Sequence, residues 1–300
     1  AAVDLSVSTT VSAKVLLALV LLSGTTRAAP LRVVDDTGRT LVLPAPARRI
    51  VSLAPHLTEQ LFAAGAGERL VGVARFSDYP AAARQLPVVG DYAGLDVEAV
   101  LQLKPDLVLA WSTGNQAALL GPLQRMGIPV FWSQPERLDD VAGSIQRLGV
   151  LADSAAVAER AAADYRRQLA QLRARYAGAA PVRVFAQIWD QPLTTVSNAH
   201  VIGDMVRLCG GVNVFGSAPV LTPLVSVESV LRADPQVLLA PGAAADASLW
   251  RQWRGWSQIG AVRQRQMCVV EADWLSRFTP RTLLAADRVC ACLQRARSAH

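Results

Sequence analysis

Lysine is almost missing from this 300-residue chain, since Lys14 and Lys104 are the only two, and nearly all of the 30 cationic residues are arginine. They are scattered among 24 acidic residues and form no dense block, so the formal net charge of +6 does not describe a nucleic-acid-binding face. Long apolar runs are lacking as well. None reaches the ~18 residues of a membrane-spanning helix, which excludes a polytopic membrane protein. Charged residues are scarce, at 18%, against 52% hydrophobic, a balance that excludes disorder and leaves room for one large domain or two compact lobes. Enzyme signatures are also missing: there is no phosphate-binding loop, no Gly-x-Ser-x-Gly elbow and no His-Glu-x-x-His. Gly65-x-Gly67 lies between a helix and a strand, the reverse of a dinucleotide loop, and reads as a helix stop. His56, His200 and His300 are the only histidines. No catalytic residue and no resident metal or cofactor site stands out, so the chain reads as a non-enzyme, with a secreted α/β enzyme as the remote alternative.

What is present begins with a processing signal. Residues 1–28 combine Lys14, an apolar run over 15–22 and small residues up to Ala28, the pattern of an export signal cleaved after Ala28. The mature chain is therefore expected outside the cytoplasm, where Cys209, Cys268, Cys290 and Cys292 read first as disulfides. Four cysteines allow three pairings, and Cys290 and Cys292, two apart on a helix, point to different sides and do not pair with each other. A zinc site lacks a Cys-x-x-Cys pair and a nearby histidine.

The remaining chain is α/β. A hairpin over 31–34 and 40–43 precedes strands over 50–53, 70–74, 107–111 and 128–132, which alternate with helices over 58–64, 97–103 and 115–126. Helices over 138–151 and 155–176 follow, the second long and rich in good helix formers. The alternation then restarts with strands over 182–188, 237–240 and 267–271, separated by helices over 201–209 and 248–256, and closes on a helix over 280–295. This predicts two Rossmann-like lobes, 29–151 and 181–300, with mostly parallel sheets, joined through one long helix in 152–180, with a ligand cleft between them.

An internal repeat supports the two-lobe reading. Residues 95–110 and 225–240 share Val97/Val227, Glu98/Glu228, Val100/Val230, Leu101/Leu231, Pro105/Pro235 and Ala110/Ala240. Glu98 and Glu228 each sit one residue into a helix, after Asp96 and Ser226 as N-caps. They have two readings: a favourable interaction with the helix dipole, or a matched pair of exposed anions, one per lobe, aimed at a two-fold symmetric basic partner. Aromatics gather in the loops at strand ends: Phe76, Tyr79, Tyr92, Trp111, Trp189 and Trp274. Such loops are where α/β lobes bind ligands, and aromatics there suit a large, flat, partly apolar one; about half are expected in the core. Trp250, Trp253 and Trp256 recur at helical spacing and read as packing.

Four segments carry a more specific resemblance: Arg49-Ile-Val-Ser-Leu-Ala-Pro-His-Leu-Thr-Glu59, Ser77-Asp78-Tyr79-Pro80, Leu103-Lys-Pro-Asp-Leu-Val-Leu109 and Cys209-Gly-Gly-Val-Asn-Val-Phe215. Over residues 48–295 the chain resembles the periplasmic substrate-binding proteins for cobalamin, haem and iron–siderophore. It is most similar to the cobalamin-binding members in Ser77–Pro80, around Trp111 and in Asp273-Trp274-Leu-Ser-Arg277-Phe-Thr-Pro280-Arg281. The resemblance implies a monomeric periplasmic carrier with two rigid lobes, cobalamin or a related corrinoid as cargo, and delivery to the permease of an ABC importer, with haem or iron–siderophore as the alternative cargo.

It implies that Glu98 and Glu228 dock into arginine pockets of the permease, that Cys209 pairs with Cys290, and that Asp273 and Arg277 make polar contacts with the ligand. Cys268 and Cys292 have no counterpart and are free to form an extra bridge. Two cobalamin-site tryptophans are replaced, one by Tyr92 and one near Thr222. In haem-binding members a tyrosine near residues 91–92 ligates iron, which would make Tyr92 a metal ligand for a haem cargo. His56, in the loop after the first core strand, can face the cleft, although a satisfied structural histidine ranks ahead of an axial ligand to cobalt or iron.

Overall fold

The structure, a computed structural model, describes residues 29–91, 94–243 and 248–299; the expected export signal over 1–28 and Tyr92 lie outside the described residues. After the hairpin β1 (Leu31–Val34) and β2 (Thr40–Leu43), the first α/β unit runs β3 (Ile50–Ser52), α1 (Pro55–Ala63), β4 (Leu70–Val73), α2 (Val97–Gln102), β5 (Leu107–Trp111), α3 (Ala117–Arg125), β6 (Val130–Ser133) and α4 (Leu138–Leu151). The long α5 (Ala155–Tyr176) follows. The second unit contains β7 (Val182–Ala186), the small hairpin β8 (Trp189–Asp190) and β9 (Leu193–Thr194), α6 (Val201–Leu208), β10 (Gly211–Asn213), α7 (Val227–Ala233) and β11 (Val237–Pro241). It closes with α8 (Ser248–Trp253), α9 (Gly260–Arg263), β12 (Met267–Val270), α10 (Ala272–Ser276) and α11 (Thr282–Ser298).

Each unit holds a four-stranded, wholly parallel sheet, ordered β4-β3-β5-β6 in the first and β10-β7-β11-β12 in the second. Counted within its own unit, each order is second, first, third, fourth, so the repeat seen in residues 95–110 and 225–240 extends to the topology. In such sheets ligands bind outside the carboxyl ends of the strands, where the order reverses.

The strands are apolar on both faces because both faces are covered. Alternate residues sort to opposite sides: Ile50, Leu107 and Leu109 face an inner core, while Val51, Val108 and Ala110 face an outer one with Val100, Leu120 and Leu123. In the second sheet Val184, Val237 and Leu239 face inward, while Phe185, Leu238 and Ala240 face outward against Val230, Trp253 and Ile259. Each fully buried Val, Leu or Ile contributes about 1.5–3 kcal/mol relative to exposure.

The two inner faces belong to one continuous core, filled by α1, α4, α5, α6 and α11. The junction is therefore a shared helical layer, and the lone strut expected from the sequence is part of it. The buried positions of α5, namely Ala158, Ala162, Tyr165, Leu169 and Leu172, recur at intervals of three and four and form the single stripe that makes this contact. Two disulfides anchor α11 within the layer, Cys209–Cys290 to the end of α6 and Cys268–Cys292 to β12. The helical geometry that sends Cys290 and Cys292 to different sides gives each its own partner.

Candidate functional site

A cavity of about 390 Å³ opens between the two sheets, at the carboxyl ends of their strands. The first unit lines it with Trp111 at the end of β5, Thr113 and Gln134; the second adds Trp189, His200 and Phe278. Thr222, near which the sequence places a missing tryptophan, also lines it. A second cavity of about 550 Å³ adjoins it and shares Ile188 and Trp189. Trp189 is 63% exposed, and its Nε1–H donates to the Gln191 carbonyl at 3.0 Å, which fixes the ring at the boundary between the cavities. Among the described residues, no charged side chain lines the first cavity.

Both described histidines lie against Phe278. His56 meets it at 6.4 Å between ring centroids and Trp111 edge-on at 5.5 Å; His200 meets Phe278 at 5.4 Å. Burial, aided by the Arg277 charge, lowers the His56 pKa to about 3, and burial lowers that of His200 to about 4, so both rings are neutral at ordinary pH. His56 differs from the sequence expectation in two ways. Helix α1 begins at Pro55, before the expected start at 58, because proline suits the first helical position, so His56 stands in a helical turn instead of a loop. Its Nε2 is buried without a hydrogen-bond partner, as is Nε1 of the neighbouring Trp111, so the histidine is structural in burial but unsatisfied.

Arg277 and Asp273, expected as ligand contacts, sit in an ion cluster that joins the two units. Arg277 donates to Glu59 at 3.1 Å and to Asp78 at 2.6 Å, and pairs with Asp273 at 2.9 Å, one turn before it. Arg281 donates to Glu59 at 2.9 Å, and its guanidinium stacks 4.0 Å over the Tyr79 ring. Partial burial pulls the Asp78 carboxyl upward, but the hydrogen bond and charge of Arg277 outweigh it and hold it below the usual range. Glu59 and Arg281 escape a sequence reading because nothing local marks Glu59 as buried. Their signal is that both fall inside the family-like segments.

The aromatic candidates divide. Phe76 and Tyr79 are exposed, with Phe76 held at a positive φ of 68°. Trp111 and Trp274 are half-buried, the latter packed on the inner core from α10 and not in the expected loop. Trp253 is fully buried and donates to Gln187 at 2.8 Å, the packing role expected of it.

Glu98 and Glu228 are both exposed, and the burial pattern of residues 94–100 repeats identically over 224–230. Asp96 accepts the Ala99 N–H at 2.9 Å and Ser226 accepts the Ser229 N–H at 3.2 Å, so each helix starts where the caps predict. Hydrogen bonds from its own backbone N–H and from the Ser226 hydroxyl hold the Glu228 carboxyl below the usual range. Helices α2 and α7 each lead from the carboxyl end of one parallel strand to the start of another. Both glutamates therefore lie on the side where the cavity opens.

Residues 50–273 match the sequence profile described as periplasmic binding protein. The chain belongs to that family. A vitamin B12-binding protein of Vibrio cholerae serotype O1 is 40% identical to it over 259 residues, covering 86% of this chain and 93% of the relative. Among solved structures, the periplasmic vitamin B12 binding protein BtuF of Vibrio cholerae superposes with a TM-score of 0.78 at 41% identity, over 84% of this chain and 98% of that one. The periplasmic heme-binding protein RhuT from Roseiflexus sp. RS-1 superposes with a TM-score of 0.74 at 25% identity, over 83% and 99%. The two-unit fold expected from the alternation of strands and helices is that of this family.

Proposed function

We propose that this protein captures cobalamin, or a related corrinoid, between its two units in the periplasm and delivers it to the permease of an ABC importer. It acts as a monomeric carrier and not as an enzyme, after removal of residues 1–28. The observation that carries the reading is the pair of adjoining cavities divided by Trp189. They share Ile188 and the aromatic ring of Trp189, the first is lined by no charged side chain among the described residues, and a flat macrocycle can span both. The vitamin B12-binding relatives, similar over 86% of the chain, support the same cargo.

In this reading Trp111 and Trp189 pack on the macrocycle, and His56 lies beneath them. Asp273, Trp274 and Arg277 hold the wall formed by the segment before α11, Phe76 and Tyr79 serve the rim, and Tyr92 remains a candidate ligand contact. Glu98 and Glu228 meet arginine pockets of the permease. Titration calorimetry of the mature protein with cyanocobalamin and with haemin tests the cargo. The expected result is stoichiometric saturation by cobalamin. Saturation by haemin with no heat from cobalamin would replace the reading with a haem carrier.

A further inference from the structure

We propose, resting on the corrinoid reading above, that His200 is a specificity-determining residue whose Nε2–H donates a hydrogen bond to a carboxamide carbonyl of the ligand. His200 does something unusual for a histidine: it caps a helix. Its Nδ1 accepts the Ile202 N–H at 3.1 Å at the start of α6. A ring nitrogen that accepts a backbone N–H carries no proton, so the neutral ring holds its proton on Nε2. Among the described residues the ring's one hydrogen bond is this cap, which leaves Nε2 without a partner, and the residue lines the cavity. The cap therefore presents the imidazole to the ligand as a donor.

The same contact excludes two other uses of the ring. Metal ligation through Nε2 needs a lone pair there, which requires the other tautomer and the loss of the cap. Acting as a cation toward a carboxylate needs a proton on Nδ1, which also breaks the cap. The rest of the wall agrees. Trp111 adds an aromatic ring whose own Nε1 is buried, and Thr113, Gln134, Thr222 and Ser276 add only neutral polar groups. The nearest arginines of the segment before α11, Arg277 and Arg281, are held by Glu59, with Asp78 and Asp273 also on Arg277. An ionised carboxylate brought to the wall beside His200 loses hydration and meets no charged side chain there, since Asp190 and Arg251 line only the adjoining cavity, whereas an amide carbonyl needs only a donor. The ligand class that fits is a tetrapyrrole whose side chains are carboxamides.

Cobinamide, with amide side chains, and cobyrinic acid, its carboxylate counterpart, are the probes. The wild-type protein is expected to bind cobinamide at least a hundredfold more tightly than cobyrinic acid. Equal affinity overturns the proposal, and this comparison needs no variant. In His200→Asn the cap persists, because asparagine is a strong N-cap and its amide ends short of the Nε2 position. Cobinamide affinity is expected to fall about tenfold, the worth of one hydrogen bond, with the visible bands of the bound corrinoid unchanged. Unchanged affinity, or a wild-type band shift abolished in the variant, overturns it by showing respectively no contact or cobalt ligation. Failure of the wild type to bind any corrinoid removes the proposed function and this inference together; binding with the selectivity missing removes the inference alone.

Discussion

Arg277 reaches 218 positions back along the chain to bond the carboxylate of Glu59 at 3.1 Å, across the boundary between the two α/β units. Glu59 is 2% exposed in its side chain and Arg277 11%, so the pair is shielded, and Arg281 closes on the same carboxylate. Gln60, next to Glu59, adds a hydrogen bond to the Phe278 carbonyl. Helix α1 is thereby joined to the segment that carries the cavity-lining Phe278.

Removing Glu59 leaves two shielded guanidinium groups without their shared acceptor. Breaking a buried pair from one side costs about 3–5 kcal/mol, far more than a surface ion pair contributes. Glu59→Ala is expected to lose about 3 kcal/mol, the lower end, because Arg277 keeps Asp78 and Asp273. Urea unfolding measures this. A loss below about 1 kcal/mol would place the cluster in the surface class.

Acid lability follows from the two histidines. Each has a folded pKa depressed below its unfolded value of 6.5, to about 3 for His56 and about 4 for His200. Above pH 6.5 both states are neutral and the full stability is present. As pH falls below 6.5 the unfolded chain gains protons that the folded chain refuses, and stability declines down to the folded values. At pH 5 each histidine removes about 2 kcal/mol, so the pair costs about 4 kcal/mol relative to pH 7.5. Unfolding free energies measured across that range, in wild type and in His56→Gln, check the slope. The variant should lose about half of it, and an unchanged slope would show that His56 titrates normally.

The sheets were legible in the sequence because strands buried on both faces read as short apolar runs between helical stretches, and the repeat around Glu98 and Glu228 marked the two units as alike. What stayed hidden depends on distant partners or on very short elements. Glu59 lies on a helix buried on nearly all sides, and the arginines that satisfy its carboxylate, Arg277 and Arg281, are far along the chain. The hairpin β8–β9 has two residues per strand, and α10 has five, too few for a periodicity to declare itself. Helix α8 stops at Trp253, short of the expected 256, just before Gly255 weakens the helix. The capping role of His200 is not legible in the sequence because imidazole is not among the usual capping groups.

The disulfides should differ in worth. By the chain-entropy relation, the Cys209–Cys290 bridge, with a separation of 81, restrains the unfolded chain by about 4–5 kcal/mol. Cys268–Cys292, with a separation of 24, restrains it by about 3–4 kcal/mol. Paired replacements by alanine, compared by thermal unfolding, are expected to rank in that order. The reverse order would mean that the β12–α11 tie restrains more than its loop length implies.

In the proposed carrier, docking would separate from cargo binding, because Glu98 and Glu228 are exposed and do not line either cavity. Their helices depend on Asp96 and Ser226 as caps, not on the glutamates, so alanine at 98 and 228 leaves the fold intact. The double variant Glu98→Ala, Glu228→Ala is expected to bind cobalamin within about twofold of wild type, while its affinity for the permease reconstituted in lipid discs falls at least about tenfold, since a charge pair that steers and fixes a complex contributes more than a rim contact. Each single variant removes one contact of a symmetric pair and should show a partial loss. A double variant with undiminished permease affinity would leave the two glutamates with only their favourable place in the first turns of α2 and α7.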